Sequence, residues 1–131
     1  MFLEEVYPYT SGNFGLKKAC ASAGLTATSV ISTSYRAVTP NFPNRLLNAI
    51  DNGPVSVAIQ ADQTVFQNYT SGVLTSTACG TDLDHAVTAV GYGTEGGVEY
   101  ILVKNSWGTT WGDGGYIKIA STSGAGTCGI N

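Results

Sequence analysis

One segment of the chain has its hydrophobic residues at helical spacing. In residues 43–51, Leu46, Leu47 and Ile50 fall on one face at helical spacing. Pro43 suits a first helical turn, and Asn52-Gly53-Pro54 would end the segment. The pattern therefore predicts a helix over Pro43–Asp51.

Other segments alternate apolar and polar residues, or are rich in β-branched residues, and are bounded by turn-forming residues. In the segment "VSVAIQ", Val55, Val57 and Ile59 fall on one side of a predicted strand. The predicted strands are Gly24–Val38, Val55–Gln60, Asp84–Tyr92, Val98–Asn105 and Gly115–Ala120. Short strands with one helix predict one α+β domain over residues 1–131, built on a mainly antiparallel sheet.

The single histidine stands at the start of one of these strands. The Gly-rich segment "GYGTEGG" predicts a hairpin, and a turn centred on Glu95 places His85 opposite Asn105. Directly opposed residues have Cβ atoms about 4.5–5.5 Å apart, so the amide could accept a hydrogen bond from the imidazole. A two-residue slip would keep both side chains on one face, and a one-residue slip would separate them.

An amide bound to one imidazole nitrogen fixes the ring and leaves the other nitrogen for proton transfer. A neutral partner suits a histidine that is charged beside a thiolate. Trp107, two residues after Asn105, could cover this bond. The competing interpretation is a histidine and a tryptophan with purely structural roles.

The composition of the chain argues against several classes of binding partner and cofactor. Among 131 residues, 43% are apolar and 11% are charged, and the formal net charge is -3. A chain without a basic run does not favour a nucleic acid or an anionic membrane surface as partner. The first residues lack the pattern of a secretory signal. One histidine and scattered cysteines predict no metal site, and no cofactor is implied.

The chain has three cysteines, an odd number that leaves one thiol without a partner in an exported protein. A cytosolic protein could keep all three reduced. Asn68-Tyr69-Thr70 is a glycosylation sequon, a triplet that by itself arises often by chance.

The histidine strand and the segments after it resemble one enzyme family. The segments are "DHAVTAVGYG" (84–93) and "YILVKNSWGTTWGDGGYIKI" (100–119), preceded by "YPY", "NGPVSVAIQA", "YTSGV" and a Cys-Gly pair. This order is similar to the C-terminal, β-rich lobe of the papain/cathepsin L group of cysteine peptidases. The resemblance implies a barrel-like sheet with short helices. The resemblance covers essentially the whole chain.

The resemblance implies a role for each matching residue. His85 would be the general base, Asn105 its orienting partner and Trp107 the indole that shields them. The residues that it implies for substrate binding, with a preference for bulky hydrophobic or aromatic side chains, are Ala58, Leu83, Asp84 and Ala86.

The resemblance also implies a disulfide between Cys79 and Cys128, and a partner for Cys20 in the other half of the protein. These bonds would indicate an oxidising compartment, either a lysosome-like vacuole or the secretory route.

The family's Cys-Gly-Ser-Cys-Trp nucleophile segment does not occur in this chain. The missing lobe would supply the cysteine, so this chain alone is expected to be inactive on its peptide or protein substrate. The alternatives are a homologue with serine at that position, acting as a binding or structural protein, and a free-standing binding module.

Overall fold

The computed structural model describes residues 1–10 and 16–131, which form two compact units, Met1–Ala37 and Val38–Asn131. The first unit has no helix or strand over residues 1–10 and 16–37. The predicted strand Gly24–Val38 is therefore wrong. Its Thr, Ser and Val residues have high strand propensity, but a strand also needs a neighbouring backbone with which to pair.

The second unit is a mixed α+β fold, as the sequence predicts. In chain order, its helices and strands are α1 (Pro43–Ile50), β1 (Val55–Ile59), α2 (Thr64–Gln67), β2 (Val73–Leu74), β3 (His85–Glu95), β4 (Val98–Lys104) and β5 (Tyr116–Ala120). Two 3₁₀ turns, Thr77–Cys79 and Thr127–Gly129, complete it. The five strands lie in the order β1-β3-β4-β5-β2, and only the β2–β5 pair is parallel.

One face of the sheet forms the core. It is built from alternate residues of the three central strands, because successive side chains of a strand point to opposite faces. These residues are Val87, Ala89, Ile101, Val103, Ile117 and Ile119. Leu46 and Ile50 of α1 belong to the same buried cluster, which is the apolar face that the helix prediction identified.

The β3–β4 hairpin has a different register from the predicted one. Glu95 pairs with Val98, so the turn lies at Gly96-Gly97, where both residues have positive φ and glycine avoids the steric cost. Asn105 is thus not directly opposite His85. The predicted register was wrong because it placed the turn at Glu95.

A β-bulge between Ala89 and Gly91 returns Asn105 to the face of the sheet on which His85 lies. Gly91 pairs with Leu102, and an unbroken ladder from this pair would place Asn105 opposite Thr88, on the face away from His85. The bulge adds one residue to β3, so that Thr88 pairs with Lys104 instead. Asn105 follows Lys104 and therefore shares the face of His85.

Candidate active site

His85 and Asn105 are joined by a hydrogen bond of 2.9 Å between His85 Nε2 and Asn105 Oδ1. His85 is the first residue of β3, and Asn105 follows the last residue of β4. Asn105 is 8% exposed, whereas His85 is partly accessible to solvent. The structure thus brings together the two residues that the sequence analysis paired.

The Asn105 side chain is held in one orientation. Its Oδ1 also accepts the Ser106 N–H at 2.8 Å, and only the amide oxygen can accept this bond. The Asn105 N–H donates to Gly115 O at 3.0 Å, which ties the residue to the segment before β5. With the oxygen facing the imidazole, Nε2 carries the proton. Nδ1 has no hydrogen-bond partner within residues 1–10 and 16–131, so it is available to accept a proton.

An aromatic cluster of Phe66, Tyr69, Trp107 and Trp111 lies beside this pair. The Trp107 ring lies 5.1 Å from the His85 ring between centroids, at an interplanar angle of 31°. Trp107 in turn packs edge-on against Phe66 at 5.5 Å and against Trp111 at 5.4 Å. Phe66 is fully buried and Trp107 is 40% exposed, so the indole is anchored on one side and open on the other.

Sequence reasoning found Trp107 but missed the residues that support it. Phe66 belongs to α2, a four-residue helix that is too short to show a hydrophobic period. Trp111 Nε1 donates to Gln67 O at 3.0 Å, which connects the cluster to the end of α2. The only sequence signal for this contact was the apolar Val-Phe pair before Gln67.

Four residues were predicted to bind substrate, and the structure places them at the end of β1 and around the start of β3. Ala58 and Ala86 pair directly across β1 and β3 on the exposed side of the sheet. Leu83 is 55% exposed and lies over Gly129, where an added Cβ would come within 2.7 Å of its Cδ2.

The fourth residue, Asp84, uses its side chain to hold a loop. Its carboxylate oxygens accept the backbone N–H groups of Ala61 and Asp62 at 2.7 and 3.1 Å. Its own N–H donates to Ile59 O at 3.0 Å. Asp84 therefore fixes the chain after β1 next to the start of β3.

Gln60 is a buried polar residue that sequence reasoning missed. It is 8% exposed; its Oε1 accepts the Asp82 N–H at 2.6 Å, and its Nε2 donates to Asp62 at 2.8 Å. The Gln60 amide, followed by that of Gln63, lowers the pKa of the Asp62 carboxyl through these hydrogen bonds. Gln60 thus connects the end of β1 to the loop that leads into His85.

A buried disulfide joins Cys79 to Cys128, with a Cα–Cα distance of 4.9 Å. It links the two 3₁₀ turns next to Gln60, whose N–H donates to Cys128 O at 2.8 Å. Cys20, in the first unit, has an exposed free thiol.

Neither a metal site nor a membrane span is found in the part of the chain that the structure describes. Residues 1–10 and 16–131 contain no group of three or more His, Cys, Asp or Glu side chains placed to hold a metal ion. No helix in the same residues is long and apolar enough to cross a bilayer.

Comparison with known families identifies the family of this chain. The family model of papain family cysteine proteases matches residues 1–131. The chain belongs to the papain family. Among curated relatives of this papain-family chain, chymopapain from Carica papaya is 44% identical over 128 residues, which are 96% of the chain and 35% of the relative. Cysteine endopeptidase Rep1 from Oryza sativa subsp. japonica is 47% identical over 130 residues, which are 97% of the chain and 34% of the relative.

Solved structures show the same fold. Bromelain protease from Ananas comosus, in complex with the E64 inhibitor, superposes with a TM-score of 0.85 at 40% identity. The match covers 98% of this chain and 58% of bromelain. The Carica candamarcensis protease CMS1MS2, in complex with E-64, gives the same TM-score and identity and is covered to 57%. The chain therefore spans about a third of the curated relatives and somewhat more than half of these structures.

Proposed function

We propose that this chain is the C-terminal lobe of a papain-type cysteine peptidase and supplies the base for peptide-bond hydrolysis. In this proposal His85 is the base, Asn105 orients it and Trp107 shields the bond between them. The observation that carries the proposal is the hydrogen bond from His85 Nε2 to Asn105 Oδ1, which leaves Nδ1 free. Membership of the papain family supports it.

The proposed reaction needs a cysteine from outside this chain. Cys79 and Cys128 are bonded to each other, and the Cys20 context does not match the family's nucleophile segment. His85 Nδ1 would take the proton of the incoming thiol and form a thiolate–imidazolium pair. The thiolate attacks the peptide carbonyl, and the imidazolium gives its proton to the leaving amine. His85 then activates the water that hydrolyses the thioester.

The neutral amide and the indole fit this cycle. Asn105 Oδ1 keeps its hydrogen bond whether His85 is neutral or charged, because Nε2 carries a proton in both states. Trp107 covers one side of the imidazole and limits the access of water to that bond. A hydrogen bond that involves a charged group contributes about 1.5–3 kcal/mol when water is excluded.

The substrate side of the proposal rests on Ala58, Ala86 and Leu83. Their small or apolar side chains favour a bulky hydrophobic or aromatic residue one position before the residue whose peptide bond is cleaved. A panel of fluorogenic peptides that differ only at this position tests the preference. Best cleavage with Arg or Asp there would refute it.

The disulfide supports an oxidising compartment, which we propose to be the vacuole or the secretory route. One relative, from Arabidopsis thaliana, is named a KDEL-tailed cysteine endopeptidase. We also propose that Cys20 pairs with a cysteine outside this chain.

The decisive experiment compares variants of the protein produced from its full reading frame. H85A should lower kcat by about 10²- to 10⁴-fold, the usual contribution of a general base. N105A should lower it about tenfold to a hundredfold, because the imidazolium loses one charged hydrogen bond. N44A, at an exposed asparagine of α1, is the matched control and should leave kcat unchanged.

Thiol reactivity separates a peptidase from a serine-substituted binding protein. Activity that E-64 titrates to zero supports a cysteine nucleophile. The proposal is wrong if the folded full-length protein hydrolyses no peptide, or if its activity is unchanged in H85A. This chain alone is expected to show no turnover above buffer background.

A further inference from the structure

The sequon at Asn68 has a local structure suited to a covalent glycan. Asn68 and Thr70, the two positions that define it, are both exposed, whereas Tyr69 between them is 7% exposed. Asn68 follows the last residue of α2, where its side chain projects from a helix end rather than from a sheet. The acceptor amide and the hydroxyl of the sequon are therefore both accessible.

The contacts of Tyr69 keep its two neighbours, Asn68 and Thr70, at the surface. Its hydroxyl donates to Gly72 O at 2.6 Å, and its ring packs 5.9 Å from the Trp111 ring. Burial raises the pKa of the Tyr69 hydroxyl, which therefore stays protonated and able to donate. With Tyr69 anchored in the core, Asn68 and Thr70 stay at the surface of the folded unit, so a glycan on Asn68 would displace no core contact.

A second observation concerns the compartment. The buried disulfide Cys79–Cys128 is a bond typical of proteins that fold in an oxidising environment. In eukaryotes that environment is the endoplasmic reticulum, where sequon glycosylation also takes place. The geometry and the disulfide therefore point to the same route.

We propose that Asn68 carries an N-linked glycan. The reaction forms a bond between Asn68 Nδ2 and C1 of the first sugar of a lipid-linked pyrophosphate oligosaccharide. The bond between C1 and the lipid pyrophosphate breaks, and the amide loses one proton as that pyrophosphate leaves. This proposal goes beyond the peptidase proposal and does not depend on it.

The glycan would stand at the edge of the aromatic cluster. Gln67, the residue before Asn68, accepts the Trp111 Nε1–H, and Trp111 packs against Trp107. His85 lies on the other side of Trp107. A glycan at this place leaves the hydrogen bond between His85 and Asn105 untouched.

The test uses the protein secreted from a eukaryotic host from its full reading frame. Asn68 is the only asparagine of the chain that is followed two residues later by Ser or Thr. Peptide mass spectrometry before and after enzymatic removal of N-glycans should find glycan mass on the peptide that contains residue 68. After removal that residue should be aspartate.

Three variants and one control complete the experiment. N68Q and T70A should abolish the glycan, whereas T70S keeps the sequon and should retain it. N44Q changes an exposed asparagine outside a sequon and should have no effect. Secreted wild-type protein that contains the Cys79–Cys128 bond but an unmodified Asn68 would overturn the proposal. Peptide hydrolysis measured on the same preparation shows separately whether the peptidase proposal holds.

Discussion

The orientation of the Asn105 amide depends on a backbone group rather than on a side chain. The Ser106 N–H donates to Oδ1, while Nδ2 is buried without a hydrogen-bond partner within residues 1–10 and 16–131. A flipped amide would place Nδ2 against the Ser106 N–H, two donors facing each other. The backbone therefore determines which end of the amide meets His85.

This dependence gives a prediction for Ser106. S106P removes the N–H and should lower kcat of the full-length protein about tenfold, since the amide is no longer held in one orientation. S106A keeps the N–H and should retain most of the activity. Thermal unfolding of both variants separates lost orientation from lost folding. Equal kcat values for two folded variants would contradict the role of the backbone donor.

A second residue-scale prediction concerns Gly80. It has φ +74, and an added Cβ would collide with the Gln60 side-chain carbonyl, which accepts the Asp82 N–H. G80A should lower the free energy of unfolding by about 1–3 kcal/mol for a backbone conformation (φ +74°, ψ -168°) that essentially only glycine adopts, and by about 1–3 kcal/mol for the disturbed hydrogen bond. G96A, with φ +58° and open space around it, should lose only about 1–2 kcal/mol for backbone strain. Denaturant unfolding measures both, and equal losses would contradict the clash.

At this scale the sequence predicts residues with distinctive chemistry and misses residues that act through packing. His85 is the only histidine of the sequence and Trp107 is one of two tryptophans, whereas Asn105 was found from its position in the predicted hairpin. Phe66 and Gln60 lie in short segments, and their roles depend on neighbours distant along the chain. A periodic hydrophobic pattern does not predict contacts between residues that are distant along the chain.

Between elements, register is the property that the sequence predicts least well. Helix α1 and strands β1, β3, β4 and β5 lie close to their predicted positions, because each carries a clear apolar face. The hairpin turn and the bulge were not predicted, because a Gly-rich segment allows several turns and a bulge has no single residue signature. Strand β2 has only two residues, too few to show alternation.

The contact between α1 and β3 gives a pH prediction. Tyr92 donates to Asp51 at 2.7 Å, and this hydrogen bond, followed by the negative charge of Asp51, raises the Tyr92 pKa. A raised folded-state pKa adds stability below the unfolded value of about 10, and this stability is lost as pH rises through the folded-state pKa. Y92F should therefore lower the melting temperature at pH 7, and the difference from wild type should shrink above pH 10.

Thermal unfolding across pH measures that difference. Y35F changes a tyrosine that is 94% exposed and is the matched control. D51A removes the acceptor of this hydrogen bond and should reproduce the effect of Y92F at pH 7. A constant difference between Y92F and wild type through the alkaline range would show that the hydrogen bond does not couple to folding.

At the scale of the whole molecule, the disulfide joins two segments that are far apart in the sequence. It closes a loop between residues separated by 49 positions. Chain-entropy arguments assign about 4 kcal/mol to a loop of this size. The double variant C79S/C128S should lose about that much unfolding free energy in denaturant titrations. S71A changes an exposed serine and serves as control, and equal stability of the two variants would rule out this contribution.

The fold class predicted from the sequence is confirmed by the unit Val38–Asn131, whereas the strand predicted over Gly24–Val38 is absent. Residues 38–131 contain the buried hydrophobic cluster, and the alternation of apolar and polar residues in the sequence predicts which of them are buried. Residues 24–37 have similar propensities, but Val30, Ile31 and Tyr35 are exposed. Propensity describes what a residue favours locally, whereas a strand forms only where a partner strand exists.

His85, Asn105 and Trp107 all belong to the unit Val38–Asn131. Genetic recombination near codon 38 would transfer all three residues together, because they lie on the same side of that junction. A crossover within the β3–β4 hairpin would instead have to preserve the extra residue near Gly91. Chimeras of papain-family proteins built on this chain should therefore tolerate the first junction far better than the second.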